Sequence, residues 1–339
     1  MIPESPAILA TGLVTSVGLS APESCAAIRA NVANPTQTHF FDSSGEPIMA
    51  HQLPLEQPWR GRTRLVEMAA LALEECLSSM AREEWVRIPV LLCLAEPERP
   101  GRLEGLDEHL LPELQRKLRV EFSSRSRLIP QGRVSALVAL EVARDLLSDS
   151  CPYAVIVATD SLLTGATLSR YERNGRLLTS RNSNGFLPGE GAGAVLVGPA
   201  PDGAHLVCTG VGFAVERADI DSEQPLRADG LVQAIRSALE ESGCGLQDMD
   251  FRITDLAGEQ YYFKEAALAV SRILRVRKEA LDLWHPAECI GEAGALAGVA
   301  GMVVAEAACR KGYANGPNLL LHAGTDSGQR SAAVLQFRT

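Results

Sequence analysis

The chain has 339 residues, 46% of them hydrophobic and 22% charged, a composition typical of a globular protein with a large buried core. Its formal net charge is −10. This charge argues against a nucleic-acid backbone or an anionic membrane surface as the main partner, because both are themselves negative. Eight cysteines are scattered along the chain without a C-x-x-C pair, which disfavours zinc ligation and a disulfide framework. We also expect no cofactor.

The sequence also carries no sign of export or membrane insertion. No charged leader followed by an apolar run stands at residues 1–10, and no apolar stretch reaches the length of a bilayer span. We therefore expect a cytoplasmic protein.

Apolar runs of strand length alternate with helical patterns in the first half of the chain. The spacing predicts strands over 7–17, 88–94, 153–159 and 192–197, and helices over 21–32, 63–80 and 134–147. The last of these helices is apolar on most of its circumference, so we expect it to be deeply buried. Residues 96–105 have little apolar content and are interpreted as a surface loop.

The second half repeats this alternation. The spacing predicts strands over 206–213, 251–254, 318–322 and 332–337, and helices over 226–241, 263–274 and 293–310. Such alternation favours an α/β fold with buried sheets. Two prolines and two glycines within 198–204 indicate a seam, which gives an N-terminal half at 1–200 and a C-terminal half at 201–339.

A glycine-rich segment carries the most specific signal. Residues 184–197 read N-G-F-L-P-G-E-G-A-G-A-V-L-V, which resembles the D-G-F-x-x-G-E-G-A-G-x-x-V-L segment of the β-ketoacyl synthases, or ketosynthases. A phosphate-binding loop is the rival interpretation, but these glycines lead into a predicted strand and not into a helix N-terminus. We interpret them as a tight turn or a close backbone approach.

Further stretches resemble the same family in the same order, at residues 8–18, 137–140 and 290–301. The resemblance therefore covers nearly the whole chain. It implies the five-layered α/β/α/β/α thiolase-like fold, with two similar halves around two stacked five-stranded sheets. It also implies pairing of edge strands in a homodimer, or in a heterodimer with another ketosynthase-like chain.

Ketosynthases use a cysteine at the start of the buried helix, two histidines and a lysine. Alignment on residues 135–140 puts the cysteine's place at Arg133, or at Gly132 after a shift by one. The first histidine falls at Ala257 or Asp255, the lysine near Ala287, and the second histidine at Glu292. Neither a guanidinium nor a glycine can act as a nucleophile, so the resemblance implies a vestigial site.

The interpretation that follows is a non-catalytic, ketosynthase-like adaptor, scaffold or regulatory partner in a secretion or acyl-metabolism system. The alternative is an acyltransferase-type enzyme of fatty-acid or polyketide metabolism, similar to 3-oxoacyl-carrier-protein synthase, with a rewired site for acyl carrier protein or coenzyme A thioesters. A third possibility is a module that binds an acyl chain or small acid in the vestigial pocket.

Several residues separate these hypotheses. Arg133 and Glu292 would form a salt bridge in a vacated site, or else a polar ligand site or a new acid–base pair. Asp255 and Glu259 would be an acid–base pair or part of a solvated loop. The remaining candidates are Cys93 and Cys289 as substitute nucleophiles and His322 as a histidine near the pocket.

Overall fold

The computed structural model describes residues 5–200 and 202–338. The strands are β1 (Ala7–Val14), β2 (Thr36–Phe41), β3 (Pro47–Ala50), β4 (Val90–Cys93), β5 (Arg127–Ile129), β6 (Ala154–Ser161), β7 (Glu190–Gly198), β8 (His205–Val215), β9 (Phe251–Thr254), β10 (Asp282–Trp284), β11 (Asn318–Gly324) and β12 (Gln329–Arg338). The helices are α1 (Ala21–Arg29), α2 (Gly61–Cys76), α3 (Leu106–Leu118), α4 (Ser135–Ser148), α5 (Gly165–Arg173), α6 (Asp229–Ser242), α7 (Gln260–Ile273), α8 (Ala287–Ile290) and α9 (Leu296–Arg310).

Apart from the β2–β3 hairpin, the described strands fall into two blocks of five with the same internal order. The first block runs β5-β4-β6-β7-β1 and the second β10-β9-β11-β12-β8. In both blocks the two pairs at the outer edge are parallel and the other two pairs are antiparallel. The blocks meet where β1 and β8 begin, through the pairs Ala7–Val207 and Ile8–Leu206.

Helices cover these blocks in layers. The outer face of the first block carries α2 and α3, the outer face of the second carries α6 and α7, and α4 and α9 lie between the blocks. The five-layered α/β/α/β/α arrangement expected from the sequence is confirmed. The observed fold differs from the expected one in a single respect. The two five-stranded sheets were expected to be separate, but the β1–β8 contact joins them into one hydrogen-bonded sheet.

The central helices owe their position to their composition. In α9 every residue from Gly298 to Cys309 is buried, as a helix that is apolar on all sides requires. In α4 seven of the fourteen residues are buried, while Glu141 and Asp145 are exposed. The prediction that the helix near 134–147 is deeply buried is confirmed for one face of the helix and is wrong for the face that carries these two residues.

The structure corrects several local predictions. In the glycine-rich segment the predicted strand at 192–197 begins earlier, at Glu190, so Gly191 and Gly193 lie in β7 and not in a turn. The alternative interpretation, a close backbone approach, is confirmed at Gly189 and Gly191. The short elements β2, β3, β5, β10, α5 and α8 and the longer helix α3 have no counterpart among the predicted elements. Within the described residues, no helix has the combination of length and apolarity needed to cross a bilayer. The division at 200/201 stays a prediction; it falls between β7 and β8.

Candidate functional site

Arg133 lies in the single 3₁₀ turn, Gly132–Val134, that leads into α4. The turn depends on Gly132, whose φ of +56° lies in the left-handed region. A Cβ atom at this glycine would stand 2.1 Å from Oε2 of Glu96. The tight turn directs Arg133 into the interior, where the residue is only 6% exposed.

The guanidinium of Arg133 is surrounded by acceptors. Its Nη1 lies 3.1 Å from Oε2 of Glu292, and its Nη2 lies 2.8 Å from Oδ1 of Asp326. Nη2 also donates to the hydroxyl of Tyr262 at 2.7 Å, and Nε lies 3.5 Å from Oδ2 of Asp255. The guanidinium carbon sits 4.6 Å from the centre of the Tyr262 ring. A buried cation requires this kind of pairing, because an unpaired one would lose its hydration without compensation.

Glu292 is held in place by its backbone. Its N–H donates to the carbonyl of Leu187, and its carbonyl accepts from the N–H of Gly189, both at 2.8 Å. The approach is so close that a Cβ atom on Gly189 would stand 2.2 Å from the carbonyl oxygen of Ile290. The two glycine-rich stretches that resemble ketosynthases are therefore in direct contact, and their contact positions the Glu292 carboxylate.

Asp326 connects Arg133 to a second arginine. It lies in the turn between β11 and β12, where its Oδ2 is 2.9 Å from Nη1 of Arg176. Arg176 in turn donates from Nη2 to Oε2 of Glu259 at 2.8 Å. Burial alone would raise the pKa of Asp326, but the two guanidinium groups outweigh it and hold this pKa far below its usual range. Asp326 is therefore ionised at any working pH.

A third arginine extends this network toward α9. Arg99 pairs with Oε2 of Glu96 at 2.8 Å and with Oδ2 of Asp160 at 3.1 Å, and Asp160 also accepts from the N–H of Ala295 at 2.8 Å. Arg99 is buried, so the interpretation of 96–105 as a surface loop is wrong for this residue. The side chain can be buried here because it is paired both with Glu96, three residues before it, and with Asp160 from a distant segment.

The carboxyls on the other side of Arg133 behave differently. Burial raises the pKa of Glu292 to about 7, although Arg133 opposes the shift. Burial also raises the pKa of Asp255, again against Arg133 and a hydrogen bond from the N–H of Gly324. The single guanidinium of Arg133 thus faces several carboxyls and cannot compensate the negative charge of all of them. Burial therefore favours the protonated form of Glu292.

Little space remains around these groups. A cavity of about 10 Å³ is bordered by Arg133, Arg176, Glu292 and Asp326. A second cavity of about 10 Å³ lies next to Asp255, Ala287 and Glu292. Each volume is roughly that of a single water site. The surroundings of Arg133 are therefore filled by side chains and have no room for an acyl group.

The structure brings three of the five vestigial positions together. Arg133, Asp255 and Glu292 are in contact, and the predicted Arg133–Glu292 salt bridge is present. Ala287 borders the cavity beside them. Ala257 lies apart, packed against the apolar cluster around Phe186. Of the two positions considered for the first histidine, Asp255 is therefore the one that contacts Arg133.

The proposed solvated loop at Asp255 and Glu259 is also corrected. Asp255 is 6% exposed and Glu259 5% exposed, and each pairs with a different arginine rather than with the other. Sequence reasoning missed Tyr262 and Asp326 entirely. Tyr262 resembles any aromatic residue on an amphipathic helix, and Asp326 stands in a short turn without a distinctive motif.

Cys93, Cys289 and His322 are all buried, and burial shifts the pKa of each side chain. Burial raises the pKa of the Cys93 thiol to about 12 and that of Cys289 to about 11, so only about 1 in 10⁴ of either thiol or less is thiolate near pH 7. Burial lowers the pKa of His322 to about 3. His322 follows Leu320 by two residues in β11 and so shares its outward face, under the cluster that includes Ala269.

The Nε2 atom of His322 is buried and has no hydrogen-bond partner among the described residues. In residues 5–200 and 202–338, no group of three or more His, Cys, Asp or Glu side chains is arranged to hold a metal ion.

No family model and no curated protein sequence matches the chain. Solved structures do match over almost its full length. The ishigamide ketosynthase/chain length factor is 15% identical, with a TM-score of 0.79 over 99% of this chain and 100% of that chain. A ketosynthase in complex with its chain length factor from Xenorhabdus doucetiae is 12% identical, with a TM-score of 0.78 over 99% and 98%.

An oxazolomycin ketosynthase domain from Streptomyces albus is 13% identical, with a TM-score of 0.81 over 99% of this chain and 75% of that chain. The chain therefore has the thiolase-like fold of the ketosynthases. At these identities the likeness establishes the fold, and function has to be argued from the site.

Replacing Glu292 by glutamine tests the charge balance around Arg133. The native carboxyl, with its pKa of about 7, holds a proton that the unfolded chain releases near pH 4.5. Its contribution to stability is complete below pH 4.5 and is lost as the pH rises through 7. Glutamine mimics the protonated form, so the free energy of unfolding of Glu292→Gln relative to wild type should increase from pH 5 to pH 8.

Urea unfolding at four pH values across this window measures the difference. Asp326→Asn is the comparison variant, because it leaves the Glu292 carboxyl in place and its stability should therefore still fall as the pH rises. Parallel pH profiles for Glu292→Gln and wild type would contradict the assigned charge state.

Proposed function

We propose that this chain is a non-catalytic ketosynthase-like subunit that acts as an adaptor, scaffold or regulatory partner in acyl metabolism or in a secretion system. The observation that carries the proposal is the buried guanidinium of Arg133, held at the start of α4 by Glu292, Asp326 and Tyr262. The family resemblance assigns this place to the nucleophilic cysteine.

The chemistry of condensation has no support at this site. Condensation needs a polarisable nucleophile, and Arg133 is a permanent cation whose pKa is raised by its neighbours although burial opposes the shift. It also needs hydrogen-bond donors for a developing enolate. The corresponding places hold the carboxyls of Asp255 and Glu292, which would repel that negative charge when ionised.

One observation favours the rewired acyltransferase alternative. A carboxyl with a pKa of about 7, as at Glu292, is suited to general acid–base catalysis at neutral pH. Against this, both adjoining cavities measure about 10 Å³, so no substrate carbonyl can approach the carboxyl without rearrangement of the network. The same lack of space counts against an acyl-binding module at this place.

A partner chain is supported by the arrangement of strands. The edge strand β5 pairs with β4 on one side only, which leaves its other side open for a strand of a second chain. The ketosynthases of similar fold include complexes with a chain length factor. We propose a homodimer, or a heterodimer with another ketosynthase-like chain, formed by two such edges across a two-fold axis.

The non-catalytic proposal predicts that no acyl-enzyme forms. Purified protein incubated with acetyl and malonyl thioesters of coenzyme A and pantetheine should keep its mass in intact mass spectrometry and should consume no thioester. The reason is that the thiols of Cys93 and Cys289 are protonated and Arg133 cannot be acylated.

Cys93→Ala and Cys289→Ala serve as matched variants for this assay. A covalent adduct on any cysteine or serine that disappears after replacement of Arg133 or Glu292 would overturn the proposal and establish the rewired acyltransferase. An adduct that disappears only in a cysteine variant would identify that thiol as a nucleophile and would contradict the proposal as well.

The dimer proposal predicts that the chain sediments as a dimer at micromolar concentration. Proline at Arg127, the first residue of β5, should shift it to a monomer, because proline is tolerated at the start of an edge strand but hinders pairing with another strand. Asp282→Pro makes the same change at the start of the opposite edge strand, β10, and should leave the dimer intact. A wild-type protein that stays monomeric would contradict the homodimer.

A further inference from the structure

A half-open groove of about 430 Å³ lies on the far side of α8 from Arg133. One wall is the end of α1, with Ile28 and Arg29. The other is the segment that joins β10 to α8, with Leu283 and Pro286. Small-molecule sites in proteins commonly have about 300–1,000 Å³ and mostly apolar walls. The groove meets both conditions.

Aromatic rings dominate its interior. Trp284 and Tyr313 lie nearly parallel, with an interplanar angle of 19° and centroids 6.5 Å apart. Trp284 is fixed from beneath by Phe251 at 4.5 Å. Rings that pack against other aromatic rings offer flat apolar faces against which a planar ligand can stack.

A cation without a counter-ion stands at the rim. The guanidinium carbon of Arg29 lies 4.2 Å from the centre of the Tyr313 ring, and no carboxylate of the described residues forms a salt bridge with it. On the opposite wall, Glu288 lies 3.4 Å from Nδ1 of His285, and that nitrogen makes no hydrogen bond. A negatively charged group in the groove is therefore attracted toward Arg29 and repelled from the Glu288 wall.

We propose that this groove binds a small aromatic carboxylic acid, with its ring stacked against Trp284 and Tyr313 and its carboxylate paired with Arg29. The inference does not depend on the proposed function, because Arg29 and the aromatic rings lie outside the Arg133 network. It assigns a ligand site to a chain whose vestigial pocket is closed.

A second groove of equal volume provides an internal comparison. It also contains a tryptophan and arginines, at Trp59, Arg60 and Arg64. There Arg64 is already paired with the buried Glu190, and that carboxyl borders the groove. Arg64 is therefore not available to a ligand carboxylate in the second groove, whereas Arg29 in the first groove has no carboxylate partner among the described residues.

Isothermal titration calorimetry with 2-naphthoate tests the proposal on the wild-type protein. Saturable binding is expected, and it should weaken about three- to fivefold when Arg29→Gln removes the charge, since an ion pair with an exposed cation contributes about this factor. Arg29→Lys, which keeps the charge, should recover part of the affinity. The uncharged isostere 2-naphthamide should bind about three- to fivefold more weakly than 2-naphthoate.

Arg60→Gln is the matched control at the second groove and should leave the affinity unchanged. Arg29 is exposed on the last turn of α1, so Arg29→Gln should retain the wild-type circular dichroism spectrum. The proposal is overturned by absence of saturable 2-naphthoate binding, by equal affinity in wild type and Arg29→Gln, by equal affinity for 2-naphthamide, or by a loss of affinity in Arg60→Gln alone.

Discussion

A guanidinium buried between two sheets must be neutralised by carboxylates, and this requirement organises the centre of the molecule. Arg133 enters from the first half of the chain, while its partners Glu292, Asp326 and Tyr262 all come from the second. The blocks of strands touch directly only where β1 and β8 begin. Across the central layer, the ion network connects one half to the other, together with the backbone hydrogen bonds of Glu292 with Leu187 and Gly189.

Close packing constrains the glycine-rich stretches that resemble ketosynthases. Their backbones are in contact, and a side chain at Gly189 would strike the carbonyl of Ile290. The surroundings of the Arg133 network are packed as closely, since the two cavities that border it measure about 10 Å³ each.

Sequence alone predicts the parts of this account that rest on local patterns. Apolar spacing gives the long strands and helices, and motif alignment places Arg133 opposite Glu292. It misses strands β5 and β10, because three residues are too few to show a period. It also treats Asp255 as solvated, because a charged residue reads as exposed until its tertiary partner is known. Asp326 is invisible for the same reason: its importance arises from two arginines more than 140 residues away.

The most direct test of the central claim is the free energy of unfolding of Arg133→Met, measured by urea denaturation at pH 7. Methionine fills much of the same space but leaves Glu292 without its cation and Asp326 paired with Arg176 alone. Removing one partner of a buried ion pair typically costs about 3–5 kcal/mol, and we predict a loss of this size. Adding Glu292→Gln should then restore part of the stability, because it removes a carboxyl left without Arg133. An Arg133→Met variant as stable as wild type would contradict the view that this buried cation holds the two halves together.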